Sequence, residues 1–258
     1  MLYFKTFNHN ESSDWVVFVH GAGGSSAIWH KQIRAFKERF NVLMVDLRGH
    51  GKSKAKGPLK ENQYTFERVS KDVLEVLDHL KIKQAHFVGI SLGTIIIRII
   101  GEMEPQRIKS LIMGGAITRL NLRSQFFVQM GNALKRFVPY IWLYSFFAWI
   151  IMPRKRHADS RRFFINEAKN LYQKEFLRWF KLTAELNPLL RFFREKETGL
   201  PILYIMGSED YMFLAPVKNM VAVHKNSFLS VIDNCGHVVN MDQPEVFNRI
   251  AIDFIEHV

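Results

Sequence analysis

The chain is 258 residues long, 48% hydrophobic, 13% aromatic and 23% charged, a mix that buries a sizeable core in one or two domains and excludes a disordered or collagen-like chain. A single cysteine, Cys235, excludes an internal disulfide framework and fits a reducing compartment. The net charge is +12, and +10 of it falls on residues 117–197, which also hold 17 of the 34 aromatics.

The opening half alternates strands and helices. VVFVH (16–20) is a buried-strand run that ends in the glycine loop HGAGGSS, and NVLMVD (41–46) is a second run followed by RGHGKS. Residues 64–80 place Phe66, Val69, Val73, Val76, Leu77 and Leu80 at helical spacing. AHFVGI (85–90) and IKSLIMGG (108–115) are further strands. After the basic stretch the rhythm returns, with strands at 200–207 and 227–233 and an amphipathic helix over 244–258. Strands apolar on both faces and alternating with helices predict a mostly parallel, doubly wound α/β sheet. Residues 117–197 lack strand signals, and runs such as 161–186 carry helix formers with apolar residues three and four apart. The expected organisation is a core of 1–116 and 198–258 with a helical cap at 117–197.

Gly89-Ile90-Ser91-Leu92-Gly93 fits Gly-x-Ser-x-Gly between a strand and a helix. A tight strand-to-helix turn strains the serine backbone, and small flanking residues avoid clashes there. The hydroxyl then sits at a helix N-terminus, where developing negative charge is favoured. A serine hydroxyl attacks only when a base takes its proton. His237, in Asn234-Cys235-Gly236-His237, lies on a loop after a strand, and so does Asp210 in Gly207-Ser208-Glu209-Asp210. The order Ser91, Asp210, His237 is that of a nucleophile, an acid and a histidine at successive strand ends. Glu209 is also able to orient an imidazole; Asp210 is favoured because it stands three residues after the strand-ending glycine. An oxyanion needs two backbone donors, assigned to Leu92 N–H and to Ala22 N–H in the glycine loop.

The segments HGAGGS, DLRGHGKS, GISLG, GSEDYMFLAP and CGHVVNMDQPE together resemble the α/β-hydrolase family, in particular its compact bacterial members with a helical cap. The resemblance spans about 1–116 and 198–258 and does not extend into the cap. It implies a Ser91–His237–Asp210 triad, an oxyanion hole from Ala22 and Leu92, and no metal or organic cofactor. Dehalogenase and epoxide-hydrolase relatives carry aspartate at the elbow; Ser91 there speaks for an acyl-serine intermediate. LYFKTF shows only part of the first two strands of larger members, so a shortened sheet edge is expected.

Gly51-Lys52-Ser53 mimics the end of a phosphate-binding loop, but position 46 is Asp46 where that loop needs glycine. The histidines show no metal-ligand spacing. His50 reads as a turn-shaping residue and Cys235 as a small packed one. No nucleic-acid signature accompanies the +12 charge, so nucleic acid is not an expected partner. Residues 137–152, FVPYIWLYSFFAWIIM, would span about 24 Å as a helix, short of the ~30 Å hydrocarbon core. They are read as an apolar lid wall, with contact at an anionic membrane surface as the second reading.

The expected function is hydrolysis of a small-molecule carboxylic ester with an apolar acyl or aryl group, in the cytoplasm, since MLYFKTFNHNESSDW lacks a secretory leader. The positive field favours anionic or membrane-associated esters. Carbon–carbon bond hydrolysis, perhydrolysis, a membrane-associated lipase and a non-enzymatic signalling protein of the same fold are the alternatives. The oligomeric state is left open.

Overall fold

Short β-branched and aromatic runs need cover on both faces, and the chain supplies it by wrapping helices around a sheet. The computed structural model describes residues 1–53 and 64–258. Within them the strands are β1 (Phe4–Phe7), β2 (Trp15–Val19), β3 (Asn41–Val45), β4 (Ala85–Ile90), β5 (Ile108–Gly114), β6 (Ile202–Gly207) and β7 (Ser227–Ile232). Their order is β1-β3-β2-β4-β5-β6-β7, with β1 antiparallel to β3 and the remaining pairs parallel. At the edge expected to be short, β1 is the single strand beyond β3.

Alternation along each strand sorts the core into two layers. In β2, Val17 and Val19 join Leu43, Phe87 and Ile96 on one face, whereas Val16 and Phe18 join Trp29, Val88 and Phe247 on the other. The first layer is closed by α2 (Phe66–His79) and α3 (Leu92–Met103), the second by α1 (Ile33–Lys37) and α11 (Pro244–Glu256). Thr65 starts α2 by accepting the Arg68 N–H at 3.1 Å, which satisfies one of the unpaired donors of the first turn. Each fully buried aromatic here, Phe18 and Trp29 among them, contributes about 1.5–3 kcal/mol through area removed from water.

Between β5 and β6 the chain is helical: α4 (Leu122–Leu134), α5 (Tyr140–Ile151), α6 (Ala158–Ala168), α7 (Gln173–Lys181) and α8 (Thr183–Glu195). The helix-forming run 161–186 is broken between α6 and α7. Tyr172 there is extended (φ −76°, ψ 145°), and the reversal lets Ala168, Leu171, Phe176 and Phe180 pack with Leu143 and Tyr144 of α5. Periodicity alone carries no sign of that reversal, because both halves are equally good helix. α5 starts after the extended Pro139, and at 12 residues it is shorter than the apolar run suggested. Among the described residues no helix is long and apolar enough to cross a membrane. Of the run read as a lid wall, Leu143, Tyr144 and Ala148 are buried, while Trp142, Phe146 and Trp149 are exposed. The remaining helices are α9 (Leu214–Val221) and α10 (Val239–Asp242).

Candidate active site at the carboxyl edge of the sheet

The parallel register brings the carboxyl ends of β2, β4, β5 and β6 to one edge: Val19 is level with Gly89, and Ile90 with Gly114. Ser91 follows β4 there with φ 53° and ψ −117°, outside the regions an L-residue favours, at a cost of about 1–3 kcal/mol. The turn is held by Ser91 N–H to Gly114 O at 2.9 Å and by Thr94, whose N–H and hydroxyl both donate to Ser91 O. The glycines of the motif are steric requirements. A Cβ on Gly89 would lie 2.7 Å from the Gly93 carbonyl carbon, and one on Gly93 would lie 2.2 Å from Val19 O.

His237 arrives on the loop after β7, its carbonyl packed on Gly115, where a Cβ would come within 2.2 Å of His237 O. Its Nε2 lies 2.9 Å from Ser91 Oγ, and its Nδ1 lies 2.7 Å from Asp210 Oδ2. With Nδ1 protonated and donating to the carboxylate, Nε2 is left as an acceptor for the serine proton. Asp210 is buried, and its second oxygen accepts the Phe213 N–H at 3.2 Å. The three residues singled out in the sequence are therefore brought together, 119 and 146 positions apart along the chain as measured from Ser91.

The two adjacent carboxylates have separate partners. Glu209 faces the inserted helices, where it pairs with Arg154, with Arg156 at 3.5 Å and with His157 Nε2 at 2.9 Å. Position after the strand-ending glycine favoured Asp210 over it; the cations that claim Glu209 come from the insert.

The glycine loop lies against the serine. A Cβ on Gly21 would be 3.3 Å from Ser91 Cβ. Among the described residues, neither Ala22 N–H nor Leu92 N–H donates a hydrogen bond. Two side chains that sequence reasoning did not connect to this loop hold it in place. His50 Nε2 accepts the Gly23 N–H at 2.9 Å, so its turn-shaping role extends to a second loop. Tyr144, from α5, donates its hydroxyl to Ala22 O, and a Cβ on Gly23 would collide with its ring. Burial pushes the Tyr144 phenol up, which keeps it a donor. The run holds a second polar-tipped ring in Tyr140, so its composition does not single out Tyr144. Cys235 is buried, and burial raises its thiol well above the ordinary range, in keeping with a packed residue.

Three buried histidines in this core are neutral. Burial pushes His50 down to about 3 and His86 down to about 4, and it lowers His20 as well. Below pH ~6.5 the unfolded chain takes up protons that the fold excludes, so stability is full above that pH and falls as pH drops toward 3–4. Each such group contributes a slope of at most about 1.4 kcal/mol per pH unit. Urea denaturation at pH 7 and pH 5 is expected to show the loss, and His86→Gln is expected to remove one group's share. Equal stability at the two pH values would refute the buried-neutral assignment.

A family model described as the alpha/beta hydrolase fold matches residues 14–140, which include the glycine loop and the serine turn. The chain is a member of the α/β-hydrolase fold family. RutD of Agrobacterium fabrum, named as a carbamate hydrolase, is 26% identical to this α/β-hydrolase chain, with 93% of this chain and 92% of the relative covered. The 3-oxoadipate enol-lactonase 1 of Acinetobacter baylyi is 24% identical, with 97% of this chain and 92% of the relative covered. A solved hydrolase from Oleispira antarctica superposes with a TM-score of 0.85 at 18% identity, covering 99% of this chain and 94% of that one, and so shares the fold.

Proposed function

We propose that this α/β-hydrolase cleaves a carboxylic ester through an acyl-serine intermediate, with residues 117–197 forming a cap on a core of 1–116 and 198–258. The observation that carries the reading is the continuous hydrogen-bonded line from Ser91 Oγ through His237 to Asp210.

His237 Nε2 takes the hydroxyl proton as Ser91 Oγ attacks the ester carbonyl. Asp210 keeps the Nδ1 proton in place and stabilises the imidazolium. The oxyanion is received by the amides of Ala22 and Leu92, each such donor contributing about 3–4 kcal/mol at the transition state. Collapse of the intermediate returns the proton from His237 to the leaving alcohol. Water, activated by the same imidazole, then releases the acid and regenerates Ser91. Tyr144 and His50 act on this step indirectly, by keeping the glycine loop in the shape that presents Ala22. No step calls on a metal or organic cofactor.

The aromatic insert next to the site favours an apolar acyl or aryl group. Lactones are cyclic carboxylic esters, and the relative named an enol-lactonase supports including them among the trial substrates. The test is a fluorophosphonate probe followed by mapping of the modified peptide. A single adduct on Ser91, with turnover of p-nitrophenyl acyl esters, is the expected result; labelling elsewhere, or none, would overturn the reading.

A further inference from the structure

A helix that is apolar on every side is normally buried on every side. α5, YIWLYSFFAWII, has no charged residue, yet it is covered on one side only. Its inner face sits over the glycine loop through Tyr144, while Trp142, Phe146 and Trp149 stand on the outer face at positions i, i+4 and i+7, the spacing of one helical stripe. Phe137, in the preceding turn, is 83% exposed and Trp142 is 70% exposed. Leu122 and Phe126 of α4 extend the patch, and Phe127 joins the two helices by packing edge-on against Phe146. Isolated exposed apolar residues need no explanation, but a connected set of large ones does.

The charged residues on the stretch that carries this patch are of one sign, and Asp159 of α6 follows directly after it. Residues 117–158 contain seven Lys and Arg and no Asp or Glu. Arg154 and Arg156 reach Glu209, whereas Arg119, Arg123, Arg136 and Lys155 are exposed and have no acidic partner among the described residues. Aromatic and aliphatic side chains flanked by uncompensated cations form the surface that settles into the headgroup region of an anionic bilayer. A helix of 12 residues, about 18 Å long, lies in that plane and does not cross it.

We propose that the outer face of α4 and α5 docks on the surface of an anionic phospholipid bilayer, with α5 lying flat between the lipid and the glycine loop. This binding is independent of the hydrolase reading and is measured without turnover.

The test is co-sedimentation of the full chain with vesicles of phosphatidylcholine alone or mixed with phosphatidylglycerol, at low and high salt. Binding is expected to the mixed vesicles and to weaken with salt. Arg123→Glu and Arg136→Glu are each expected to weaken it by at least about fivefold, the effect of one basic residue near such a surface. Phe137→Ser with Trp142→Ser is expected to weaken it by about tenfold or more, with an unchanged thermal melt because both side chains are exposed. Tryptophan emission is expected to be quenched by brominated lipid, less so in Trp142→Ser, since Trp29 and Trp179 are buried. No binding to mixed vesicles at low salt would overturn the proposal, as would equal binding to neutral vesicles. A concentration-dependent dimer that Trp142→Ser abolishes, without vesicle binding, would overturn it by assigning the face to a second copy. Capture of an acidic protein without vesicle binding would overturn it in the same way.

Discussion

Ser91→Ala is expected to lower ester turnover by about 10⁵- to 10⁶-fold, because the nucleophile and its base act as a unit and what remains is binding and oxyanion stabilisation. The fold is expected to survive. Alanine inherits the same φ of 53° at a similar backbone cost, and the loss is one hydrogen bond to His237, about 1 kcal/mol. For a chain of this size that corresponds to a fall in Tm of about 2–4 °C. Gly89, Gly93 and Thr94 still hold the turn, so the variant remains a fair comparison. Steady-state turnover of p-nitrophenyl esters beside a thermal melt checks both halves. Full activity in the folded variant would remove Ser91 from the chemistry.

The second large effect is a contrast between neighbours. Asp210→Asn is expected to cost about 10⁴-fold in kcat, since an amide facing Nδ1 favours the tautomer that leaves Nε2 protonated and unable to accept from Ser91. Glu209→Gln is expected to lose less than about tenfold in the folded enzyme, because its partners are Arg154 and His157 and not His237. Its cost falls on stability, about 1–2 kcal/mol for weakening a buried charge-assisted contact between insert and core. Arg154 is largely exposed and finds water when the carboxylate is gone. Parallel kinetics and urea melts of the two variants decide the matter. If Glu209→Gln carried the kinetic loss and Asp210→Asn the structural one, the two roles would be exchanged.

Tyr144 extends the same reasoning to the glycine loop. Its hydroxyl donates to Ala22 O, one peptide away from the amide assigned to the oxyanion. The inserted helices thus contact the site at this loop, at the histidine loop, where His157 lies against Gly236, and at the acid loop at Glu209, where Tyr211 also donates to Ile150 O.

Strand positions, the serine turn and the sequential order of Ser91, Asp210 and His237 could be read from the sequence because their causes are local. A run such as AHFVGI becomes a buried strand wherever it is placed in a doubly wound sheet, and Gly-Ile-Ser-Leu-Gly carries its steric demands within five residues. The acid was favoured locally, by the position of Asp210 after the strand-ending glycine, but Glu209 is chemically alike and adjacent, and the partners that occupy it, Arg154 and His157, lie more than fifty residues earlier in the chain. The twelve uncharged residues of α5 do not say which side is covered. Only packing against the glycine loop set Tyr144 inward and left Trp142 and Trp149 outward, because periodicity assigns a face only when the two faces differ in polarity.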